Sequence, residues 1–393
     1  FFCHVGRRRY PFPRAAVPLP CELSCVVEPG GELRYVFPAI RHDDAWYPSF
    51  AVQAAIRHLD LPAEALHAQL GGPTLIHLAG QRQPPLFVSV LLHGNETTGW
   101  EAVRQLLRDY LPGGGDKPLP RGLSLFIGNT AAAAEGLRRL DGQPDFNRVW
   151  PGGEDLSSHE AQLIKQVMDA MALRGVFASV DVHNNTGMNP HYACINRIET
   201  DFLHLAALFG RTVIYFVTPR GVQSMAMASL CPAVTLECGK VGQAHSTQHA
   251  IDYLNACLHL HEFPAHPVAD HDVDLYHTVA VARVREAVSI GFDSAAAQLS
   301  LVGDLDGMNF RELPVATVFG EVRKHAGLPI TVHDEQGGDV TERYFTVADG
   351  CLRPRLPLMP AMLTCDERVI RQDCLCYIME RYDAHLHDGE ATK

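Results

Sequence analysis

The stretch Leu86-Phe87-Val88-Ser89-Val90-Leu91-Leu92-His93-Gly94-Asn95-Glu96 decides how this chain is read. Seven residues of almost unbroken apolar character are what a strand buried on both faces requires, as in a parallel sheet covered by helices. The run passes directly into Gly-Asn turn chemistry, and a helical stretch follows over residues 98–111. His93 and Glu96 therefore leave a loop at the carboxyl end of a strand, which is where open α/β sheets bind ligands.

Outward from this point, residues 46–261 alternate short β-branched runs with longer helical stretches. Strands are expected at 74–78, 86–92, 123–129, 177–182, 212–217 and 233–237, and helices at 98–111, 158–173 and 248–261. Ser157-Ser158-His159-Glu160 reads as a capping box opening the second helix. The predicted fold is α/β, a mixed and mostly parallel sheet with helices on both faces. Residues 262–274 carry two prolines, several acids and no helical period, so a linker is expected there. Beyond it, runs at 278–292, 316–322, 330–333, 344–347 and 374–379, with turns such as Gly337-Gly338, suggest a smaller, mostly β domain. The expected organisation is an N-terminal extension at 1–45, a catalytic domain at 46–265 and a β-rich C-terminal domain at 275–385, with a frayed polar tail over 383–393.

A formal charge of −12 and no basic run longer than Arg7-Arg8-Arg9 argue against a phosphate backbone as partner, so no nucleic acid is expected. No stretch of about 18 apolar residues is free of charges or breakers, so no membrane span can be drawn. Eleven scattered cysteines in a chain this large read as reduced thiols, and the expected compartment is the cytoplasm. The opening Phe-Phe-Cys-His-Val-Gly before three arginines lacks the order of a signal peptide. This Pro- and Arg-rich start has no initial Met and is set aside from fold reasoning.

His-x-x-Glu is a weak signal among 21 histidines, and it recurs at His259/Glu262 and His387/Glu390. Those pairs fall at a helix end and in the polar tail, where solvated side chains are the natural reading. Only His93/Glu96 follows a buried strand. A third ligand is available at another strand end, in Val180-Asp181-Val182-His183-Asn184. Taken alone, His183 reads first as a core histidine, but two histidines and a carboxylate are the donor set of a catalytic zinc site. The histidines at 259, 261, 266, 271 and 277 are irregularly spaced in a polar segment and read as solvated.

Further motifs fall in order around these residues: Gly136-Leu137-Arg138-Arg139, then Asp145-Phe146-Asn147-Arg148, Asp181-Val182-His183 and Thr235-Leu236-Glu237-Cys238-Gly239-Lys240. Together with His-Gly-Asn-Glu they resemble the zinc-dependent succinylglutamate desuccinylase/aspartoacylase family, which is grouped with the zinc metallocarboxypeptidases. The resemblance covers residues 86–240, and the β-rich C-terminal part fits the family layout. It implies a zinc carboxypeptidase-like fold and one Zn2+ per chain held by His93, Glu96 and His183. It further implies Glu237 as the catalytic carboxylate, Arg138 at the oxyanion, Asn147 and Arg148 on the substrate's carboxylate, and Asp145 orienting a ligand histidine.

The chemistry agrees with that implication. Amide hydrolysis needs a nucleophile stronger than water and a proton carrier. Glu237 ends an apolar strand, where partial burial raises a carboxyl pKa. Arginine suits an anion grip because its planar fork binds carboxylates through two hydrogen bonds. Each residue also has a plainer reading: Arg138 or Arg139 as loop charge, Arg148 paired with Asp145, Glu237 as a strand-end cap. One departure stands out, since a further substrate Arg is common in the family before the catalytic Glu, where this chain has Arg220-Gly221-Val222-Gln223. Gln223 or a Met falls near the expected position, with Arg220 as a substitute from a shifted loop, and the missing charge weighs against a doubly anionic substrate.

The expected function is a zinc-dependent amidohydrolase, a deacylase acting on an N-acyl amino acid or related small carboxylate, and a homo-oligomer is compatible with it. The alternatives are a metallocarboxypeptidase acting on peptides and a catalytically silent zinc-binding or interaction protein.

Overall fold

Three apolar runs, Thr74–Leu78 (β1), Leu86–Val90 (β2) and Leu123–Ile127 (β3), are buried at every position, as strands covered on both faces must be. The structure is a computed structural model that describes residues 61–110, 117–323 and 327–382, with the backbone of six four-residue strands between Phe2 and Pro48 that pair as three hairpins. The side chains of the expected N-terminal extension and the whole 383–393 tail lie outside the described residues.

After β2 the chain forms α1 (Thr98–Arg108) and returns as β3. It continues through α2 (Thr130–Ala134), α3 (His159–Arg174), β4 (Ala178–Asn185), β5 (Tyr192–Ile195), α4 (Thr200–Ala207), β6 (Thr212–Tyr215), α5 (Gln223–Met227), β7 (Ala233–Lys240) and α6 (Ala244–His259). The sheet order is β1-β3-β2-β4-β7-β5-β6. Strands β3, β2, β4 and β7 run parallel, so the loops after them open on one edge. At β7 the direction reverses, because β5 pairs antiparallel with β7 and parallel with β6.

Side chains of paired residues in adjacent strands share a face and alternate along each strand. Val90 pairs with Val182, and Gly99 of α1 packs against both, so α1 covers that face. The opposite face carries Ser89, Asp181, His183, Thr235 and Glu237. There α5 is attached by Gln223 to Ser179 and by Ser224 to Thr235. Helices thus cover both faces.

Several boundaries differ from the sequence reading. β2 stops at Val90 because buried Leu91 turns with φ 56° in the left-handed region. β4 runs on to Asn185 because β7 offers it a partner strand as far as Lys240. β5, only four residues long, gave no usable periodicity. The second helix is capped by Ser158, whose side chain accepts from Ala161 N, while Asp155 holds Ser157. The cap therefore sits one residue later than the box at 157–160 implied.

Past the Pro-rich segment, β8 (Asp274–Val284) adds parallel to β6, so one 11-stranded sheet continues into the C-terminal part. A small five-stranded sheet follows, built from β9 (Ile290–Phe292), β10 (Leu299–Leu301), β11 (Gly320–Val322), β13 (Phe345–Ala348) and β14 (Cys351–Pro354), while β12 (Ile330–Asp334) pairs with β8. β15 (Met359–Ala361), α7 (Glu367–Gln372) and β16 (Cys376–Arg381) complete the described chain, and β16 lies antiparallel against β8. Two main apolar cores result, one spanning residues 63–258 and one spanning 280–378, and a third, small cluster packs Tyr192, Cys194 and Ile214 with Ala361 and Met379. No helix of the described residues is long and apolar enough to cross a membrane.

Leu236, fully buried at the centre of β7, tests the larger core. Leu236→Ala should cost about 2–5 kcal/mol by lost burial and a residual cavity, read as a lower midpoint in chemical unfolding. An unchanged midpoint would mean that this strand is not where the core closes.

Candidate active site

The left-handed turn at Leu91 aims the chain into the loop that carries His93. Gly94 allows that loop to lie directly on α2, since a Cβ there would sit 2.2 Å from Ala133 N. Its N–H donates to Arg138 O at 3.1 Å, which fixes the His93 loop to the loop carrying Arg138. On β4, period-two alternation places Asp181 and His183 on one face, and the parallel register sets His183 beside Glu237. Asn184 points the other way and secures the strand end. It accepts from Thr98 N at 3.1 Å and donates to Gly239 O and Thr98 Oγ1, both at 2.9 Å.

Glu96 lies between the two histidines. Its Oε1 is 2.9 Å from His93 Nδ1, and its Oε2 is 2.6 Å from His183 Nδ1. All three side chains are buried, and one ligand atom of each lies within 4.8 Å of the others. Each imidazole is anchored through its other nitrogen, His93 Nε2 at 3.0 Å from Asp145 Oδ1 and His183 Nε2 at 2.7 Å from Asp181 Oδ2. Ser89 donates to Asp181 Oδ1 at 2.6 Å. A carboxylate behind each imidazole is the usual support of a metal-binding histidine, fixing its tautomer and raising its basicity. The donor set therefore fits a divalent metal such as zinc.

The electrostatics call for positive charge at this point. Burial alone would lower the His183 pKa, but Asp181 and Glu96 hold it well above the ordinary value. Burial would raise Glu96, yet His93 and His183 hold it well below the usual carboxylate range. Burial pushes Glu237 up to about 8, with Glu96 and Asp181 adding to the rise and His183 and Arg138 opposing it. Asn185 Nδ2 donates to its Oε2.

The other expected residues gather around this centre. Arg138 is buried, with Nη1 3.5 Å from Glu96 and Nη2 3.2 Å from Asp145 Oδ2, whereas its neighbour Arg139 bonds the Gln143 carbonyl instead. Asn147 donates its backbone N–H to Asp145 Oδ1 at 2.7 Å, and its Nδ2 lies 3.2 Å from His183 Nε2. Arg148 does not pair with Asp145. Its Nη1 donates to Asn147 O and its Nη2 to Asp373 Oδ1, both at 2.8 Å. Gly221, at φ +74°, lets the following loop lie on this one, since a Cβ there would fall 2.1 Å from Arg148 O.

His93, Glu96, Arg138, Asn147, Arg148, His183 and Glu237 all line one cleft. Neither residue considered for the further substrate contact reaches it. Gln223 is fully buried, donating its backbone N–H to Asn147 Oδ1 and its Nε2 to Ser179 Oγ, both at 2.8 Å. Arg220 is exposed and lines a neighbouring groove. The histidines at 259, 261, 266 and 271 are exposed, and His277 pairs with Glu335; among the described residues they form no metal-ligating cluster. The pair His387/Glu390 lies outside the described residues.

Sequence reasoning missed Asp181, Asn185, Tyr192, Asp373 and Tyr377. Asp181 carried a signal, since it stands two residues before His183 on the same strand face. Tyr192 reaches the cleft through the unrecognised β5, in register with Glu237. Asp373 and Tyr377 come from the C-terminal part and belong to no motif.

The family model described as Succinylglutamate desuccinylase/Aspartoacylase catalytic domain matches residues 82–258, which span β2 to α6 and all seven of those cleft residues. Residues 82–258 belong to the succinylglutamate desuccinylase/aspartoacylase family. A succinylglutamate desuccinylase from Burkholderia mallei is 31% identical over 182 residues, covering 42% of this chain and 51% of the relative. The chain thus spans about half the length of that curated relative. Among solved structures, a succinylglutamate desuccinylase from Vibrio parahaemolyticus superposes with a TM-score of 0.51 at 15% identity, over 79% of this chain and 86% of the other. One from Vibrio cholerae gives 0.52 at 14% identity, over 80% and 88%. At such identities these structures show a shared fold alone.

Zinc binding tests the centre directly. His183→Ala should lower zinc per chain after dialysis to a small fraction. Asp181→Asn, which keeps His183 but weakens its support, should lower zinc affinity about 10- to 100-fold. Full zinc retention in His183→Ala would place the metal elsewhere.

Proposed function

We propose that this chain is a zinc-dependent amidohydrolase that removes the acyl group from an N-acyl amino acid or a related small carboxylate. The observation that carries this reading is a buried carboxylate, Glu237, lining the same cleft as the His93–Glu96–His183 cluster. The family match over residues 82–258 supports the same chemistry.

Zinc held by His93, Glu96 and His183 would lower the pKa of a bound water towards about 7. The remaining work falls to the chain itself. Glu237 takes the proton of the attacking water and delivers it to the leaving amine. Burial pushes its pKa up to about 8, which suits a group that must both accept and give a proton. Asn185 holds the Glu237 carboxylate in place. Arg138 offers cationic N–H groups beside Glu96, where charge develops on the carbonyl oxygen. Arg148 is 26% exposed, which leaves it a free side for the substrate's carboxylate.

The shape of the cleft favours small substrates over peptides. Ala361, Met362, Asp373 and Tyr377 from the C-terminal part form one wall, which would crowd a polypeptide extending from the scissile bond. Retention of Glu237 with all three candidate ligands argues against a silent binding protein. The described cysteines are all free thiols, in keeping with a reducing compartment such as the cytoplasm.

Glu237→Gln keeps the shape and the Asn185 contact but cannot carry the proton. Turnover of a responsive N-acyl amino acid should fall by roughly 10²- to 10⁴-fold with zinc content unchanged. Near-normal turnover would remove Glu237 from the mechanism.

A further inference from the structure

The carboxylate of Asp373 bridges the two guanidinium groups that line the cleft. Its Oδ1 lies 2.8 Å from Arg148 Nη2 and its Oδ2 lies 3.5 Å from Arg138 Nη2. The Asp373 side chain is 9% exposed, so this is a desolvated ion pair that water and salt screen little. Asp373 sits between α7 and β16. Its backbone carbonyl accepts from Arg283 Nε at 3.2 Å, and the Tyr377 hydroxyl lies 3.5 Å from Oδ1. The position is therefore set by the C-terminal part of the chain.

Arg138 and Arg148 are the only Arg or Lys side chains among the described residues lining the cleft. Arg138 already faces Asp145 and Glu96. Arg148 keeps one open side but has its charge balanced by Asp373. Elsewhere the wall is largely apolar, with Cys194, Ile214, Phe216, Val222, Ala361 and Met362. The neutral hydroxyls between them, such as those of Thr218 and Thr278, bring no further Arg or Lys charge to offset the dehydration of a second carboxylate.

The geometry points to Asp373 as a specificity-determining residue that fills the cleft's anion site from within, so that the preferred substrate is a monoanionic N-acyl amino acid with an uncharged acyl tail. This rests on the deacylase reading for the word substrate, but the charge discrimination is a binding property and is measurable without turnover.

The test uses the purified zinc-loaded protein and two carboxylates of equal chain length, pentanoate and glutarate, with affinities read by calorimetry. Wild type should bind the dianion no more tightly than the monoanion. Asp373→Asn, which removes the charge and keeps the shape, should raise the glutarate-to-pentanoate affinity ratio by roughly tenfold to a hundredfold, the range of a charge-assisted hydrogen bond. Pentanoate serves as the internal control for any general loosening of the cleft. If Asp373→Asn does not fold, the wild-type ratio alone decides. A tenfold wild-type preference for glutarate, or an unchanged ratio in a folded Asp373→Asn, would overturn the assignment. Loss of the deacylase reading would show separately, as no turnover of N-acyl amino acids with the binding ratio as expected.

Discussion

The site is organised by the need to satisfy one buried carboxylate. Glu96 is buried between His93 and His183, and an isolated carboxylate there would carry a large desolvation cost. Two further carboxylates, Asp145 and Asp181, stand behind the imidazoles. This excess of negative charge around two neutral-capable imidazoles suits the cluster to a divalent cation. The fold serves that arrangement. β2 and β4 run parallel so that their ends bring the histidines together, and the left-handed Leu91 and close-packed Gly94 turn the His93 loop back over the sheet.

The same face of the sheet continues into the cleft. Tyr192 pairs with Glu237 and Cys194 with Thr235 across the antiparallel β5–β7 junction, and Cys194 with Ile214 across β5 and β6. Tyr192, Cys194 and Ile214 carry an apolar floor away from the His93–Glu96–His183 cluster. The C-terminal part is more than an attached β unit, because β8 extends the catalytic sheet and β16 folds back on β8. That return brings Asp373 to the arginines, so cleft charge is set jointly by segments far apart in sequence.

What the sequence made legible was local. A strand buried on both faces must be apolar throughout, so β2 and its polar exit at His93 and Glu96 stood out, and the same logic found His183, whereas Glu237 came from the motif resemblance. Asp181 was within reach of the period-two rule. Gln223 misled because its neighbourhood suggests a substrate contact, whereas its backbone and side chain are bound to Asn147 and Ser179. β5 is too short to declare a period and exists because β7 and β6 flank it. Asp373 had no legible role, since only the long-range pairing of β16 with β8 places it. Likewise, the Pro-rich segment marks a gap between two apolar cores but not the end of the sheet.

The central claim is that His93, Glu96 and His183 form one metal centre. Anomalous diffraction at the zinc edge from crystals of the loaded protein tests it most directly. The account predicts a single strong peak about 2.0–2.2 Å from His93 Nδ1, His183 Nδ1 and a Glu96 oxygen. A peak coordinated by cysteine sulfur or by the exposed histidines, with none between these three residues, would contradict it.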